Sequence, residues 1–264
     1  MKNYTFEKIV VAPQIVIYKN IFKYNKEMID MLNSKNCIIG EWYDWFEQGS
    51  RKEVFEWNNS ILNSDSEEII KQKNIIQEFL DILDFIRKDY FDEFNLRNSI
   101  WPKFINDWNK MLHEPTYYDL DFFKWSDDKL KNRNLKIGQV MMPYHVDDWY
   151  HEKDYSTKKL VATINIYLNS NYSGGEICAY DSISNKSYVY KPGEGDLVIM
   201  PSHSPFYHAV KFFEGADRYF MRSFFKYEYV GTSSEEVDVL EEIKKYVDKD
   251  LQQISVNAEE IIVS

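Results

Sequence analysis

Five histidines occur in the 264-residue chain, at positions 113, 145, 151, 203 and 208, so the company each keeps is informative. His145-Val146-Asp147 sets an imidazole and a carboxylate two residues apart. On an extended strand such residues project from one face, with Val146 turned away. Short His-x-Asp strings also arise by chance, and the pair gains meaning only with a third ligand. His208, which opens His208-Ala209-Val210, supplies one. Two histidines and one carboxylate form the facial set that leaves three positions of iron(II) open, which implies a bound cosubstrate and dioxygen. His203 competes for the same role, and these residue types alone leave the choice close to even. A third element favours His208.

That element is Arg218, ten residues past His208 at the start of the apolar run Arg218-Tyr219-Phe220-Met221-Arg222-Ser223-Phe224-Phe225. A guanidinium rising from an apolar strand is costly unless an anion meets it. The partner is a ligand carboxylate or an acidic side chain such as Asp196 or Glu214. Arg222 has the parity of Arg218 and is the alternative anchor. Parity also gathers Thr163, Asn165 and Tyr167 on one face of their strand.

The elements that must position these groups follow from periodicity. From Leu135 onward, apolar and polar residues alternate in short runs broken by Ser173-Gly174-Gly175, Pro192-Gly193 and Gly195-Asp196. Strands are predicted at 135–141, 159–168, 176–181, 186–190, 196–200, 208–213 and 218–229, a density that suits a sandwich or closed barrel. Upstream, 15–18 reads as a buried strand and 25–32 as a helix. A capping box at Ser64-Asp65-Ser66-Glu67 opens a longer helix with Ile69, Ile76, Phe79, Leu80, Leu83, Ile86 and Tyr90 on its apolar face. Residues 95–134 show no clean period and read as an irregular connection. A second capping box, Ser233-Ser234-Glu235-Glu236, precedes a helical stripe of Val237, Leu240, Ile243, Val247, Leu251 and Ile254. Nothing in composition marks a boundary, so residues 1–264 are expected to form one domain: support and substrate-side segments over 1–132, a β core over 133–228 and an acidic C-terminal helix over 233–264.

Composition narrows the function. The net charge of −11 and pI near 5.0 argue against a nucleic-acid partner, and the one basic cluster, Lys129, Lys131, Arg133 and Lys136, is too small to reverse that. An apolar content of 44% with 17% aromatics excludes a disordered or collagen-like chain. No apolar run approaches the ~20 residues of a membrane span, and the first residues lack the apolar block of a signal peptide. Cys37 and Cys178 are too few and too far apart for a disulfide framework or a cysteine zinc site. A soluble, cytoplasmic protein with no membrane partner is expected.

The ordered set His145-x-Asp147, Thr163-Ile164-Asn165-Ile166-Tyr167-Leu168-Asn169, Gly174-Gly175-Glu176, Gly195-Asp196-Leu197, His208-x-Val210 and Arg218-Tyr219 resembles prolyl 4-hydroxylase-like iron(II)/2-oxoglutarate dioxygenases. The 61 residues from Asp147 to His208 are similar too, and the resemblance spans about residues 133–228. It implies an α+β fold with a mainly β core, a double-stranded β-helix of the jelly-roll or cupin-like kind. Fe(2+) would be held by His145, Asp147 and His208. The far carboxylate of 2-oxoglutarate would reach Arg218, with Tyr167, Asn165 and Arg222 as further cofactor contacts and ascorbate as an accessory reductant. The implied activity is hydroxylation of a C–H bond with dioxygen, first of prolyl residues in a peptide or protein and second of a free small molecule. Tyr144, Trp149 and His203 are the expected substrate-pocket residues. The chain departs from the family ahead of its first ligand, where Ile137-Gly138-Gln139-Val140-Met141-Met142-Pro143-Tyr144 replaces a tyrosine with a longer glycine-rich stretch. Two other classes stay open at this point: a metal hydrolase using the same three ligands, and a non-catalytic barrel serving as a binding or structural module.

Overall fold

The computed structural model describes residues 4, 6–12, 14–45, 49–53, 66–94, 120–131, 133–147, 158–202, 206–228 and 258–264. Two sheets face each other. The larger has the order β1 (Glu7–Ala12), β2 (Ile15–Lys19), β11 (Leu197–Pro201), β7 (Lys158–Tyr167), β14 (Arg218–Glu228), β5 (Asp121–Trp125), β4 (Gly49–Glu53) and β3 (Tyr43–Trp45). The smaller has the order β15 (Glu259–Val263), β10 (Lys186–Tyr190), β9 (Ile177–Asp181), β12 (Phe206–Lys211) and β6 (Val140–His145). A two-residue ladder joins β8 (Ser173–Gly174) to β13 (Phe213–Glu214). From β5 onward the chain passes back and forth between the sheets, with the β9–β10 hairpin as the one pair of consecutive strands in the small sheet. That is the winding of a double-stranded β-helix.

Alternation along the large-sheet strands separates two cores. Ile164, Ile166, Leu197, Ile199 and Met221 point outward and pack on α1 (Asn25–Asn33) and α2 (Glu67–Phe94) through Met28, Leu32, Ile76, Phe79 and Leu83. Tyr167, Val198, Met200 and Phe220 point inward, towards Ile177, Ala179 and Val210 of the small sheet. The period of two thus sends apolar bulk to the helices and reserves the intervening positions for the barrel interior.

The Gly195-Asp196 turn ties these layers together. Gly195 has φ +78°, and a Cβ there would lie 2.3 Å from the Phe22 carbonyl oxygen, so only glycine fits. The buried Asp196 carboxylate accepts from the Asn20 N–H at 2.8 Å, the Gly193 N–H at 2.6 Å and the Tyr190 hydroxyl at 2.5 Å. On the backbone, Tyr167 N–H donates to the Asp196 carbonyl at 2.9 Å and Gly195 N–H to the Tyr167 carbonyl at 2.8 Å, which fixes the end of β7.

Several elements differ from the sequence expectation. The barrel begins at β5, inside the stretch 95–134 read as irregular, which also holds the short helix α3 (Asp127–Leu130). The strand expected at 135–141 instead spans Val140–His145, because 136–139 form a turn closed by Gln139 N–H to the Lys136 carbonyl at 3.0 Å. β1, β3 and β4 were not apparent from periodicity. The helical stripe expected from 237 to 254 lies outside the described residues. The end of the chain is not helical: β15 pairs in parallel with β10, as suits the β-branched run Ile261-Ile262-Val263. Among the described residues no helix is long and apolar enough to cross a membrane.

Asp196→Ala should strip three donors, the Tyr190 hydroxyl among them buried, of their acceptor and lower unfolding stability by about 1–3 kcal/mol, read as a reduced urea midpoint with an unchanged m-value. An unchanged midpoint would show that the turn does not tie the layers.

Candidate active site

The register of β6 against β12 sets His145 directly across from His208, and their ring centroids lie 4.2 Å apart. Asp147, two residues past His145, brings its carboxylate between them. Oδ1 is 3.8 Å from His145 Nε2 and Oδ2 is 3.4 Å from His208 Nε2. One ligand atom from each residue falls within 4.8 Å of the other two, and among the described residues no other His, Cys, Asp or Glu group does so.

The donor atoms suit a divalent metal. His145 Nδ1–H donates to the Pro143 carbonyl at 2.8 Å, which leaves the lone pair on Nε2, a buried atom with no hydrogen-bond partner. Burial pushes His208 down to about 4, so its imidazole is neutral at ordinary pH. Burial alone would raise Asp147, but His208, Arg222, His145 and the Thr163 hydrogen bond outweigh it and hold the carboxyl below its usual range. Two imidazoles and one carboxylate converging in a partly closed site fit iron(II) bound on one face.

A supporting layer holds the carboxylate. Thr163 Oγ1 donates to Asp147 Oδ2 at 2.7 Å and lies 2.9 Å from Ser202 Oγ. Arg222 Nη1 is 3.7 Å from Asp147 Oδ1. Asp121 accepts from Arg222 at 3.1 Å and from Arg51 at 2.7 Å. Parity placed Thr163 on this face, whereas Asp121, Arg51 and Ser202 reach it from strands whose pairing no local pattern reveals.

Arg218 opens a second chamber. It shares the inward face of β14 with Arg222 but is only 1% exposed, and its Nε and Nη1 have no hydrogen-bond partner among the described residues. Its guanidinium carbon lies 5.1 Å from the Tyr167 ring, 5.3 Å from Trp125, 5.5 Å from Phe220 and 5.6 Å from Tyr172. Neither acidic candidate answers it, since Asp196 is engaged at its own turn and Glu214 is exposed. A buried guanidinium with free N–H groups fits an incoming carboxylate, which it can meet with parallel hydrogen bonds. Tyr167 is buried beside it, and Asn165, also buried, sits across from Val198 and Arg222. Arg222 stands at the triad end, already paired with Asp121.

Tyr144 is not in the pocket. Next to His145 on β6, it has the opposite parity, packs with Cys178, Val189 and Ala209 on the outer face of the small sheet, and its hydroxyl lies 2.7 Å from Ser187 Oγ. Trp149 and His203 lie outside the described residues.

A family model described as the 2OG-Fe(II) oxygenase superfamily matches residues 133–226. Among solved structures, the chain is similar to a prolyl hydroxylase from Trichoplax adhaerens in complex with a hypoxia inducible factor oxygen degradation domain peptide fragment. That pair shares 12% identity over 86% of this chain and 87% of the other, with a TM-score of 0.49. A Pseudomonas putida prolyl-4-hydroxylase gives 13% identity over 83% and 95%, with a TM-score of 0.46. The dioxygenase for auxin oxidation 1 from Arabidopsis thaliana, in complex with 2-oxoglutarate, gives 12% over 79% and 77%, with a TM-score of 0.45. No curated protein matches the chain in sequence.

In calorimetric titration with Mn(II), Asp147→Ala and His208→Ala should abolish tight binding. Thr163→Val, which removes only the hydrogen bond to the carboxylate, should weaken it by about 10-fold. Binding retained in His208→Ala but lost in His203→Ala would move the second imidazole to His203.

Proposed function

We propose that the 2OG-Fe(II) oxygenase domain carried by residues 133–226 hydroxylates a C–H bond, using iron held by His145, Asp147 and His208 and 2-oxoglutarate anchored at Arg218. The observation that supports the reading is that the three candidate ligand atoms and a buried guanidinium whose Nε and Nη1 have no partner among the described residues belong to one barrel interior: β14 presents Arg222 to Asp147 and, four residues away, Arg218 to the aromatic chamber. When bound, iron and 2-oxoglutarate together supply the oxidising power, consuming dioxygen and releasing succinate and carbon dioxide as the substrate gains a hydroxyl.

The chain's own residues do the rest. His145 and His208, held opposite each other by the β6–β12 ladder, and Asp147, held by Thr163, would hold the iron. Arg218 and the Tyr167 hydroxyl would bind the far carboxylate of the cosubstrate. Trp125, Phe220 and Tyr167 exclude water from that end, which strengthens the ionic contact by lowering the local dielectric. Asn165 and Arg222 line the interior between the two ends.

The order of short motifs resembling prolyl 4-hydroxylases makes a prolyl residue in a peptide or protein the first substrate, with a free small molecule second. Succinate release across a panel of prolyl peptides, free amino acids and nucleotides tests this, and turnover confined to a non-prolyl member would overturn the prolyl assignment. Anaerobic Fe(II) with 2-oxoglutarate should give a weak visible charge-transfer band. Arg218→Ala should raise the 2-oxoglutarate needed to reach it while Mn(II) binding survives. A rise confined to Arg222→Ala would place the anchor at the other arginine, and a metal environment indifferent to 2-oxoglutarate would favour a hydrolase.

A further inference from the structure

Arg218 is not the only unsatisfied group in its chamber. Tyr172, on the turn between β7 and β8, is buried, and its hydroxyl has no hydrogen-bond partner among the described residues. Its ring packs edge-on against Phe213 with centroids 5.4 Å apart and lies 5.6 Å from the Arg218 guanidinium carbon. Burial pushes the Tyr172 hydroxyl up, and the charge and side chain of the neighbouring Arg218 draw it part of the way back.

Tyr172 is also clamped. The Lys191 ammonium, just past the end of β10, sits 3.9 Å from the centroid of the Tyr172 ring. It donates to the Tyr172 carbonyl at 3.1 Å and to the Gly174 carbonyl. On another side, a Cβ at Gly175 would fall 2.9 Å from the Tyr172 ring, so this glycine lets the turn close over the phenol. Such fastening of a buried side chain whose one polar atom is left unpaired is unfavourable unless a ligand completes it.

A carboxylate offers about four lone-pair sites. Arg218 fills two and the Tyr167 hydroxyl a third, which leaves one acceptor site for a further donor from the chamber wall. We infer that Tyr172 is a further cosubstrate-binding residue, its hydroxyl donating to the carboxylate held by Arg218 and Tyr167, with Lys191 as the positioning residue that holds the phenol in place. This rests on the reading that 2-oxoglutarate ends at Arg218, and it adds a hydroxyl that the sequence resemblance did not assign.

The charged and titratable groups facing Lys191 are Arg218, Glu176 and Tyr172. Burial and the Arg218 charge bring Lys191 down to about 8, with Glu176 opposing. Below that pH the ammonium adds attraction for a dianion. Above it the attraction is lost, so affinity for 2-oxoglutarate should fall as pH rises from 7 to 9.

The test is anaerobic titration of the full-length, Mn(II)-loaded protein with 2-oxoglutarate, followed by calorimetry. Tyr172→Phe should weaken binding by about 10-fold without changing Mn(II) affinity. Lys191→Met should flatten the pH dependence between 7 and 9. Should Arg218→Ala weaken binding while Tyr172→Phe does not, the inference fails and the assignment to Arg218 stands. If Arg218→Ala binds 2-oxoglutarate as well as the parent, the underlying reading fails instead. A pH dependence that persists in Lys191→Met removes the lysine from the pocket whatever Tyr172→Phe does.

Discussion

The antiparallel pairing of β6 with β12 is the constraint on which the site depends, because it makes two residues 63 positions apart into direct neighbours. A slip of one residue would turn either imidazole to the other face of the small sheet. The pairing is not left to β6 alone. β12 is also bonded to β9, with Ala179 across from His208, so the strand carrying His208 is held on both sides. Asp147 then needs little more than the end of β6 and the Thr163 hydroxyl to come between the rings. Ser202, just past the end of β11, braces that hydroxyl from the large sheet, so the His145, Asp147 and His208 cluster joins both sheets.

The large sheet solves a different problem. Its strands must bury helices on one side and present polar groups on the other, and the period of two does both with one run of sequence. In β7, Ile164 and Ile166 serve the helix layer while Thr163, Asn165 and Tyr167 serve the interior. In β14, Met221 packs outward while Arg218 and Arg222 look in, one to each end of the site. Replacing an inward polar residue therefore bears on binding before it bears on the helix interface, and the reverse holds for the outward ones.

What could be read from the sequence follows the same division. The convergence of His145, Asp147 and His208 and the inward facing of Arg218 and Tyr167 follow short spacings and strand parity, which is why those residues stood out in the sequence. The helix over 25–32 was legible from its apolar spacing, and the longer one that runs through Tyr90 from its capping box and a period near 3.6. β5 was not, since Asp121-Phe122-Phe123-Lys124-Trp125 is five residues long and its pairing with β4 and β14 is set by contacts remote in sequence. Tyr144 was misplaced by nearness in sequence to His145, where parity should have excluded it. The clamp of Lys191 on Tyr172 was hidden for another reason: it exists only because a turn and a strand end, 19 residues apart, fold onto each other. β15 was missed because a capping box far upstream says nothing of where a helix ends.

Charge accounting shows why the two ends behave differently. At the triad end Asp147 and Asp121 face Arg222 and Arg51, two anions against two cations, so the residues alone are close to neutral. A divalent metal there adds positive charge that nothing in the described chain offsets. At the other end Arg218 is buried with no ion pair among the described residues, and Lys191 adds a second positive charge nearby with Glu176 as partial relief. With a metal in place the interior would be positive at both ends, even though the chain as a whole carries −11, much of it in the nine acidic residues against three lysines of 233–264. A dianion with one carboxylate for each end matches that distribution, and a monoanion would leave one end unanswered. The cost of burying Arg218 is carried by the fold before any ligand arrives, so its reorganisation need not be repeated on binding.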